Sequence, residues 1–405
     1  MNLFSKSFTC FPLWLSVVMA INNPVSAQII PSSTDVSYQL KPEANIHLWH
    51  KVITKASKKW VILEVEARNQ ISSDSLFYGY AYTNNLSKPL NNFSLVNLQN
   101  FELSSTHNTK LYAFESDVSN ANFLILRIGI KGTEEYYTYI INLNSLSHFF
   151  ITSSTITTPI LQPFAPLSTS LKIAKLTGEK ASYVAKFYKK NFSVALPPMA
   201  NLINTNPFGK ADSSYMLSSM DELPTHQEGV FSIFEEDNEK AVSFFRISSK
   251  NYPQLSSIKE IVDASIFLFT KKEKDKIANS DNTKKEYDAF WLENTGSSER
   301  AGKMISTYFK RVKESNLLFS TFKEGWKTDM GMLYIIFGPP DKVFRSDSSV
   351  EWVYRKTYEL PTLVFKFNLK NENLDSEYFE LERNIKYQNN WFRAIDLWRK
   401  GRKNL

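Results

Sequence analysis

Gly325-Trp326-Lys327-Thr328-Asp329 opens the most densely patterned part of the sequence. The stretch continues as Met330-Gly331-Met332-Leu333-Tyr334-Ile335-Ile336-Phe337 and ends in Gly338-Pro339-Pro340-Asp341. Because the apolar run is short and rich in strand-forming residues, it predicts a buried strand between two turns. Gly325 and Gly338 indicate tight backbone at the two ends. Pro339 and Pro340 are interpreted as a strand stop, since proline cannot donate to a strand ladder.

This arrangement resembles the signature of the GWxTD-domain family, whose name spells Gly325, Trp326, Thr328 and Asp329. The resemblance covers residues 280–400, where a Phe-Trp pair precedes two helices, the signature and a closing helix that contains tryptophan. It implies membership of a group of bacterial secreted or envelope proteins without an assigned activity. The chain departs from the family pattern around Gly331, where relatives often have a basic residue.

The first 27 residues have the layout of a secretory signal. Lys6 precedes an apolar run at residues 11–21, and Val25-Ser26-Ala27 forms a small-residue cleavage site. We therefore expect cleavage after Ala27 and a location in the periplasm, at the outer membrane or outside the cell. The single cysteine, Cys10, lies within this signal. The mature chain would then contain no disulfide, thiolate metal site or cysteine nucleophile.

Composition indicates a folded protein with many strands. The 405 residues include 30 Phe and 19 Tyr but only 12 Gly, and a chain of this length can form more than one domain. The formal net charge is +7, and it falls to +6 if Lys6 leaves with the signal. This excess is too small to predict nucleic-acid binding.

Residues 28–150 are predicted to form an immunoglobulin-like β-sandwich. The segments 60–67 and 122–130 alternate apolar and polar residues with the period of two that a half-buried strand requires. Further strands are predicted at the spacing of a sandwich; they cover residues 36–40, 45–53, 76–83, 93–98, 110–116 and 135–143.

Residues 151–271 are predicted to form a second domain rich in strands. Three prolines between residues 154 and 170 indicate a linker or an edge strand. Strands are expected at 182–188 and 192–196, and a hairpin at 229–234 and 241–248. The charged run at residues 271–276 is interpreted as a connector.

Residues 272–405 are predicted to form an α+β domain with a helix pair and a small antiparallel sheet. Tyr287, Phe290 and Trp291 share one helix face, and Ser297-Ser298 is a candidate N-cap for the next helix. Besides the signature strand, the sheet would contain residues 350–354, 362–368 and 378–383. The chain as a whole is therefore predicted to be multidomain and mainly β, with a C-terminal α+β domain.

The signature offers four candidate binding residues: Trp326, Thr328, Asp329 and Asp341. Trp326 could anchor a binding groove, although a core position is favoured for such a residue. Asp329 could act as a base, but Thr328 and Asp329 are better explained as side chains that bond backbone amides of their own turn. Asp341 is expected to accept from a turn amide at the opposite end of the strand, far from Asp329.

Histidines limit the chemistry available to this region. None of the five lies between residues 272 and 405, so this domain cannot supply a serine–histidine or cysteine–histidine nucleophile system or an ordinary zinc site. His47 and His50 are the one close pair, but residues three apart on a strand face opposite sides. No catalytic residue, metal ligand or cofactor is predicted, and nucleotide-binding and hydrolase-elbow motifs are absent from the sequence.

The last predicted helix, residues 389–402, combines aromatic and basic residues. Trp391, Phe392, Ile395 and Trp398 form one stripe with cations beside it. The stripe could lie on an anionic membrane or bind a partner, although closing the domain core is the favoured interpretation.

The sequence thus favours a non-enzymatic envelope or secreted protein that binds another protein or a glycan. A hydrolase that uses Asp329 and Asp341, or a peripheral membrane scaffold that uses the terminal helix, are the alternatives.

Overall fold

The computed structural model describes residues 28–402 except 56–57, 117–120, 145–146, 154–157, 177, 179, 190–191, 202–207 and 371–376, and it omits the side chains of 240–241. The predicted signal and its cleavage point lie outside the described residues. The described chain is mainly β, with several antiparallel sheets followed by helices and a small sheet, which confirms the predicted fold class.

Two four-stranded sheets with a shared core form the first region. The strands are β1 Ile46–Lys55, β2 Lys58–Ala67, β3 Leu76–Thr83, β4 Ser94–Val96, β5 Glu102–Ser105, β6 Thr109–Ser116, β7 Phe123–Ile130 and β8 Tyr136–Asn142. Their orders are β1-β2-β6-β5 and β4-β3-β7-β8. Leu63 of β2 and Leu126 of β7 belong to one buried cluster. β7 is buried at all eight positions, so the half-buried strand predicted there is wrong, because a second buried cluster that includes Phe123 and Ile125 covers its other face. The immunoglobulin-like topology stays a prediction.

The strand predicted at residues 36–40 is wrong. This segment forms a 3₁₀ turn at Ser37–Leu40. Its alternating apolar residues contact two different cores, because Val36 packs into the C-terminal domain whereas Tyr38 also lies against the first sandwich. The backbone N–H of Val36 donates to the carbonyl of Val343 at 3.0 Å, and the N–H of Val343 donates to Asp35 Oδ1 at 3.0 Å.

The middle region contains a five-stranded sheet and a strand pair. Its strands are β9 Phe150–Ser153, β10 Phe164–Pro166, β11 Leu171–Ala174, β12 Ser182–Tyr188, β13 Ser213–Ser218, β14 Gly229–Glu235 and β15 Asn238–Ser248. The sheet has the order β10-β15-β14-β12-β13, and β9 pairs with β11. The predicted hairpin is confirmed by β14 and β15. β10, which ends at Pro166, lies at the sheet edge, where a missing N–H is tolerated.

The strand predicted at residues 192–196 is wrong, since these residues have no regular secondary structure. Phe192 is buried and meets Phe322 edge to face at 5.3 Å between ring centroids. The N–H of Ala195 donates to the carbonyl of Lys327 at 2.9 Å, so it bonds the signature turn and not a neighbouring strand.

The C-terminal region contains the helices and a four-stranded sheet of order β16-β17-β18-β19. The helices are α1 Ile258–Ala264, α2 Lys271–Ala278, α3 Thr283–Thr295, α4 Ser298–Phe319, α5 Asp329–Phe337 and α6 Gln388–Arg399, and the strands are β16 Lys342–Arg345, β17 Ser349–Tyr354, β18 Leu363–Lys370 and β19 Tyr378–Leu381. α3 and α4 confirm the predicted helix pair. Ser297 caps α4, because its side chain accepts from the N–H of Arg300.

The charged run at residues 271–276 is not a connector but most of α2. Thr270 and Glu273 form a capping box in which each side chain accepts from the other's backbone N–H. This local stabilisation starts a helix whose exposed surface carries the charges.

The apolar run of the signature is helix α5, so the predicted strand is wrong. Met332, Leu333, Tyr334, Ile335 and Ile336 are each 0% exposed. A helix that is buried on every side needs no polar face, and its sequence therefore lacks the period of 3.6 residues. A short apolar run cannot be distinguished from a buried strand by pattern alone. α5 packs against α4 and β19 at the centre of the C-terminal core.

No helix among the described residues is long and apolar enough to cross a membrane.

Candidate functional site

The signature turn packs against the end of α4 with almost no space between the backbones. A Cβ on Gly325 would lie 1.9 Å from the carbonyl oxygen of Ser315, and a Cβ on Gly331 would lie 1.9 Å from that of Gly325. Both positions therefore require glycine for close approach and not for chemistry.

Trp326 and Thr328 hold this turn in place. Trp326 is buried, and its N–H donates to Asn316 Oδ1 at 3.0 Å. Thr328 Oγ1 donates to the carbonyl of Gly325 at 2.7 Å and accepts from the N–H of Gly331 at 3.0 Å, which caps α5. Both side chains thus serve the packing of the turn.

Asp329 does not bond its own turn, contrary to the sequence-based interpretation. Its Oδ2 accepts from the N–H of Leu381 at 2.8 Å and from Arg383 Nη1 at 3.0 Å, and its Oδ1 accepts from Arg383 Nη2 at 2.5 Å. Only 5% of Asp329 is exposed. The carboxylate therefore joins the start of α5 to the end of β19 through a buried bidentate ion pair.

Lys327 belongs to a second buried charge network. Its Nζ donates to Glu324 Oε1 at 2.9 Å, and the same oxygen lies 3.4 Å from Arg246 Nη1. Burial alone would raise the pKa of Glu324, but the adjacent Arg246 and Lys327 charges outweigh it and lower the pKa. Glu324 is therefore ionised between two cations, and this network connects β15 to the signature turn.

Gly338-Pro339-Pro340-Asp341 ends a helix, and the interpretation as a strand stop is corrected accordingly. Gly338 has φ +89° and donates its N–H to the carbonyl of Tyr334 at 2.8 Å. Asp341 accepts from the backbone N–H and from Nε of Arg355, each at 2.8 Å, so the amide it binds lies after β17 and not in its own turn as expected. Burial raises the pKa of Asp341, but these donors outweigh it and leave the pKa below its ordinary value.

Asp329 and Asp341 lie at opposite ends of α5, a helix of 9 residues. Such a helix is about 14 Å long. Two carboxylates that act together on one bond are about 5 to 9.5 Å apart. The signature therefore brings no carboxylate pair together.

The terminal helix turns its tryptophans inward. Trp391 and Trp398 are buried, and Trp398 Nε1 donates to the carbonyl of Ile336 at 3.0 Å. The predicted stripe is wrong at Phe392, which is 54% exposed, because Ala394 and Leu397 occupy the buried face instead.

A cleft of about 760 Å³ lies where the three regions meet. Residues of β1, β15, β16 and the start of β19 contribute to its walls, as do the residues before β10 and after α4. Among the candidates from sequence, Thr328 alone lines it. The volume falls in the range of small-molecule binding sites.

One wall of this cleft is polar. Arg345 of β16 forms an ion pair with Glu377 through Nη2 and Oε1, and Asn142 Nδ2 donates to the same Glu377 oxygen at 3.1 Å. His50 of β1 lines the same cleft. We call His50, Asn142, Arg345 and Glu377 the polar wall.

His50 is exposed by surface area because its imidazole opens into the cleft, although protein groups pack around the sides of the ring. Burial lowers its pKa to about 4, Glu377 opposes this shift and Arg345 adds to it. The side chain is therefore neutral near pH 7, with one nitrogen as donor and the other as acceptor.

Sequence reasoning missed the polar wall. It considered His50 only as a partner of His47, which instead contacts Arg68 at 3.1 Å on another side of the sandwich. No local pattern connects residues 50, 142, 345 and 377, since each comes from a different segment. Among the described residues, no group of three histidine, aspartate or glutamate side chains could hold a metal ion.

A family model described as the GWxTD domain matches residues 229–400. The match begins at β14, upstream of the stretch over which the sequence resemblance was traced, and it ends just after α6. No curated protein matches the chain.

Proposed function

Because the chain belongs to the GWxTD domain-containing family through residues 229–400, we propose that this domain is a packing scaffold in a non-enzymatic binding protein of the cell envelope. The ligand would occupy the cleft at the junction of the three regions. The observation that carries the proposal is the polar wall, because it presents hydrogen-bonding groups inside a cleft that also has apolar lining residues.

The state of the signature supports the same proposal. Asp329 is fully engaged by Arg383 and Leu381, and Lys327 is engaged by Glu324. A substrate would have to displace these buried contacts before it could reach either side chain, at a cost of several kcal/mol. The hydrolase alternative is therefore weaker than the binding proposal.

The peripheral membrane alternative also has less support. A membrane helix would present both tryptophans to lipid, whereas Trp391 and Trp398 pack in the core and Phe392 alone of the aromatic stripe is exposed.

A photo-crosslinking experiment tests the binding proposal. A photoreactive residue at Ser348, on the cleft rim, is compared with one at Ser306, on the exposed side of α4. After irradiation in the native envelope, we expect a discrete crosslinked species from position 348 and not from 306. Identical crosslinking patterns, or none from position 348, would contradict a cleft ligand.

The envelope location is part of the proposal and has its own test. Residues 1–27 would direct export and be removed, so the protein recovered from cells should begin at Gln28. Amino-terminal sequencing of the protein from fractionated cells measures this. Recovery of the chain with Met1 intact in the cytoplasm would contradict export.

A further inference from the structure

The charges of the polar wall largely neutralise one another. Glu377 forms an ion pair with Arg345. Arg345 Nη1 also donates a hydrogen bond to the carbonyl of Ile140 at 3.4 Å. Asp347, at the rim, accepts from the N–H of Leu86 at 2.8 Å. These charged groups are therefore already paired with other protein groups, and they offer little net charge to a charged ligand.

The lysines of the cleft do not change this balance greatly. Lys51 and Lys59 line it together with Arg345, against Asp347 and Glu377. Lys59 Nζ donates to Thr54 Oγ1 at 2.9 Å, and burial lowers the pKa of its amine. The lining thus carries three cations and two carboxylates, a small excess for a cleft of this size.

The groups of the polar wall that a ligand can still bind offer mainly hydrogen bonds without net charge. No hydrogen bond joins the His50 imidazole to another described residue, and the side chain lines the cleft, so its ring nitrogens remain available to a ligand. The second carboxylate oxygen of Glu377 is likewise not bonded within the described chain, because Asn142 and Arg345 share Oε1. A hydroxyl group, which both donates and accepts, matches this combination.

Apolar side chains form other parts of the lining. Leu161, Met330, Leu369 and Phe379 line it and are only partly buried. A molecule that combines hydroxyl edges with apolar C–H faces satisfies both kinds of surface. Oligosaccharides have this property, and several sugar units fit the available volume.

We propose that the cleft binds an uncharged oligosaccharide, with hydroxyl groups bonded to His50 and Glu377 and C–H faces on Leu369 and Phe379. This inference rests on the proposed binding function and specifies its ligand class.

Titration calorimetry on the mature chain tests the ligand class. The probes are cellotetraose, maltotetraose and chitotetraose, with a neutral and an acidic tetrapeptide as comparators. We expect at least one saccharide to bind with an affinity that changes little between about 50 mM and about 500 mM NaCl, because salt screens only charged contacts.

The variants locate the binding. His50→Ala should weaken saccharide binding about tenfold, the effect of one lost hydrogen bond. His50→Gln, which keeps a donor and an acceptor, should retain more affinity than His50→Ala. His107→Ala removes an exposed histidine outside the cleft and should leave the affinity unchanged. Thermal melting of each variant checks that it is folded.

Three results would overturn the inference. The protein binds none of the three saccharides, or the folded His50→Ala variant binds the saccharide as tightly as the wild type, or the protein binds a tetrapeptide and no saccharide. If crosslinking from position 348 still yields a discrete species in such a case, the binding function stands and only the ligand class is wrong. If crosslinking also fails, both are wrong.

Discussion

The signature turn and the polar wall both pair their charged residues, but the polar wall also presents a neutral histidine to the cleft. In the signature, Asp329 and Lys327 are buried and engaged by other protein groups. In the polar wall, one ion pair is complete, but no described residue bonds the His50 imidazole, which lines the cleft. Dense sequence patterning therefore marks the packing of this protein, whereas hydrogen-bonding capacity is left where residues from distant segments meet.

Removal of the Asp329 carboxylate should have the largest effect on the stability of the protein. Asp329→Ala leaves Arg383 charged and buried, so we expect the free energy of unfolding to fall by about 3 to 5 kcal/mol. Urea denaturation measures it. Asp341→Ala is the matched control, because Arg355 is 76% exposed and such a pair contributes about 0 to 1 kcal/mol. Equal effects of the two changes would break the contrast between a buried ion pair and one whose arginine is exposed.

The two helical glycines should respond in opposite directions. Gly331→Ala places a methyl group 1.9 Å from the carbonyl oxygen of Gly325 and should destabilise the protein by about 3 kcal/mol. Gly302→Ala, in α4, meets nothing within 4 Å and should stabilise it by about 0.5 to 1 kcal/mol. Thermal melting compares the two. If Gly331→Ala is tolerated, the close packing of the signature turn is not required.

The loss of stability at acidic pH should reflect the neutral state of His50 in the folded protein. The pKa of its folded form is about 4, below the ordinary 6.5. The unfolded chain thus takes up this proton first, and the contribution of neutral His50 is complete above about pH 6.5 and lost as the pH falls toward 4. Because solvent in the cleft screens the charge, we expect a loss of about 1 to 2 kcal/mol.

Denaturation of the wild type and of His50→Gln at about pH 7.5 and about pH 4.5 isolates this contribution. The variant should lose less stability than the wild type between the two values. Equal losses of stability in the two proteins would mean that folding does not lower the pKa of His50. The polar wall would then differ little from ordinary protein surface.

The smallest effect is expected at the terminal helix. Phe392→Ser changes an exposed side chain, so the free energy of unfolding should stay within about 0.5 kcal/mol of the wild type. Sedimentation with anionic liposomes should be the same for both proteins. If the wild type binds liposomes and Phe392→Ser does not, the membrane alternative replaces the cleft as the main binding surface.

Strands and helices with one buried face could be predicted from the sequence. Residues 63–67 of β2 alternate with a period of two, and α4 combines the period of 3.6 with Ser297 as N-cap, so each pattern has one structural solution. β7 also alternates in sequence, but it is buried on both faces, which its pattern did not predict. α5 lacks such a pattern because it is surrounded by protein. Its strand-like composition was outweighed by tertiary packing.

The contacts of the candidate sites could not be predicted in this way. Arg383 lies 54 positions after Asp329, and no local spacing rule connects the two. The polar wall combines His50 with Arg345 and Glu377, which come from the opposite end of the chain. Sequence patterns report local geometry, whereas these arrangements depend on how whole domains pack.

The hydrogen bonds between residues 35–36 and Val343 constrain the order in which this protein can be completed. These residues are made early in synthesis, but their partner on β16 is made some three hundred residues later. Until β16 is made, Val36 has neither its hydrogen-bond partner Val343 nor the C-terminal core against which it packs. Residues 35–36 therefore stay without these contacts until β16 is made, although Tyr38 can already pack on the first sandwich, and we expect this contact between distant residues to form late in folding.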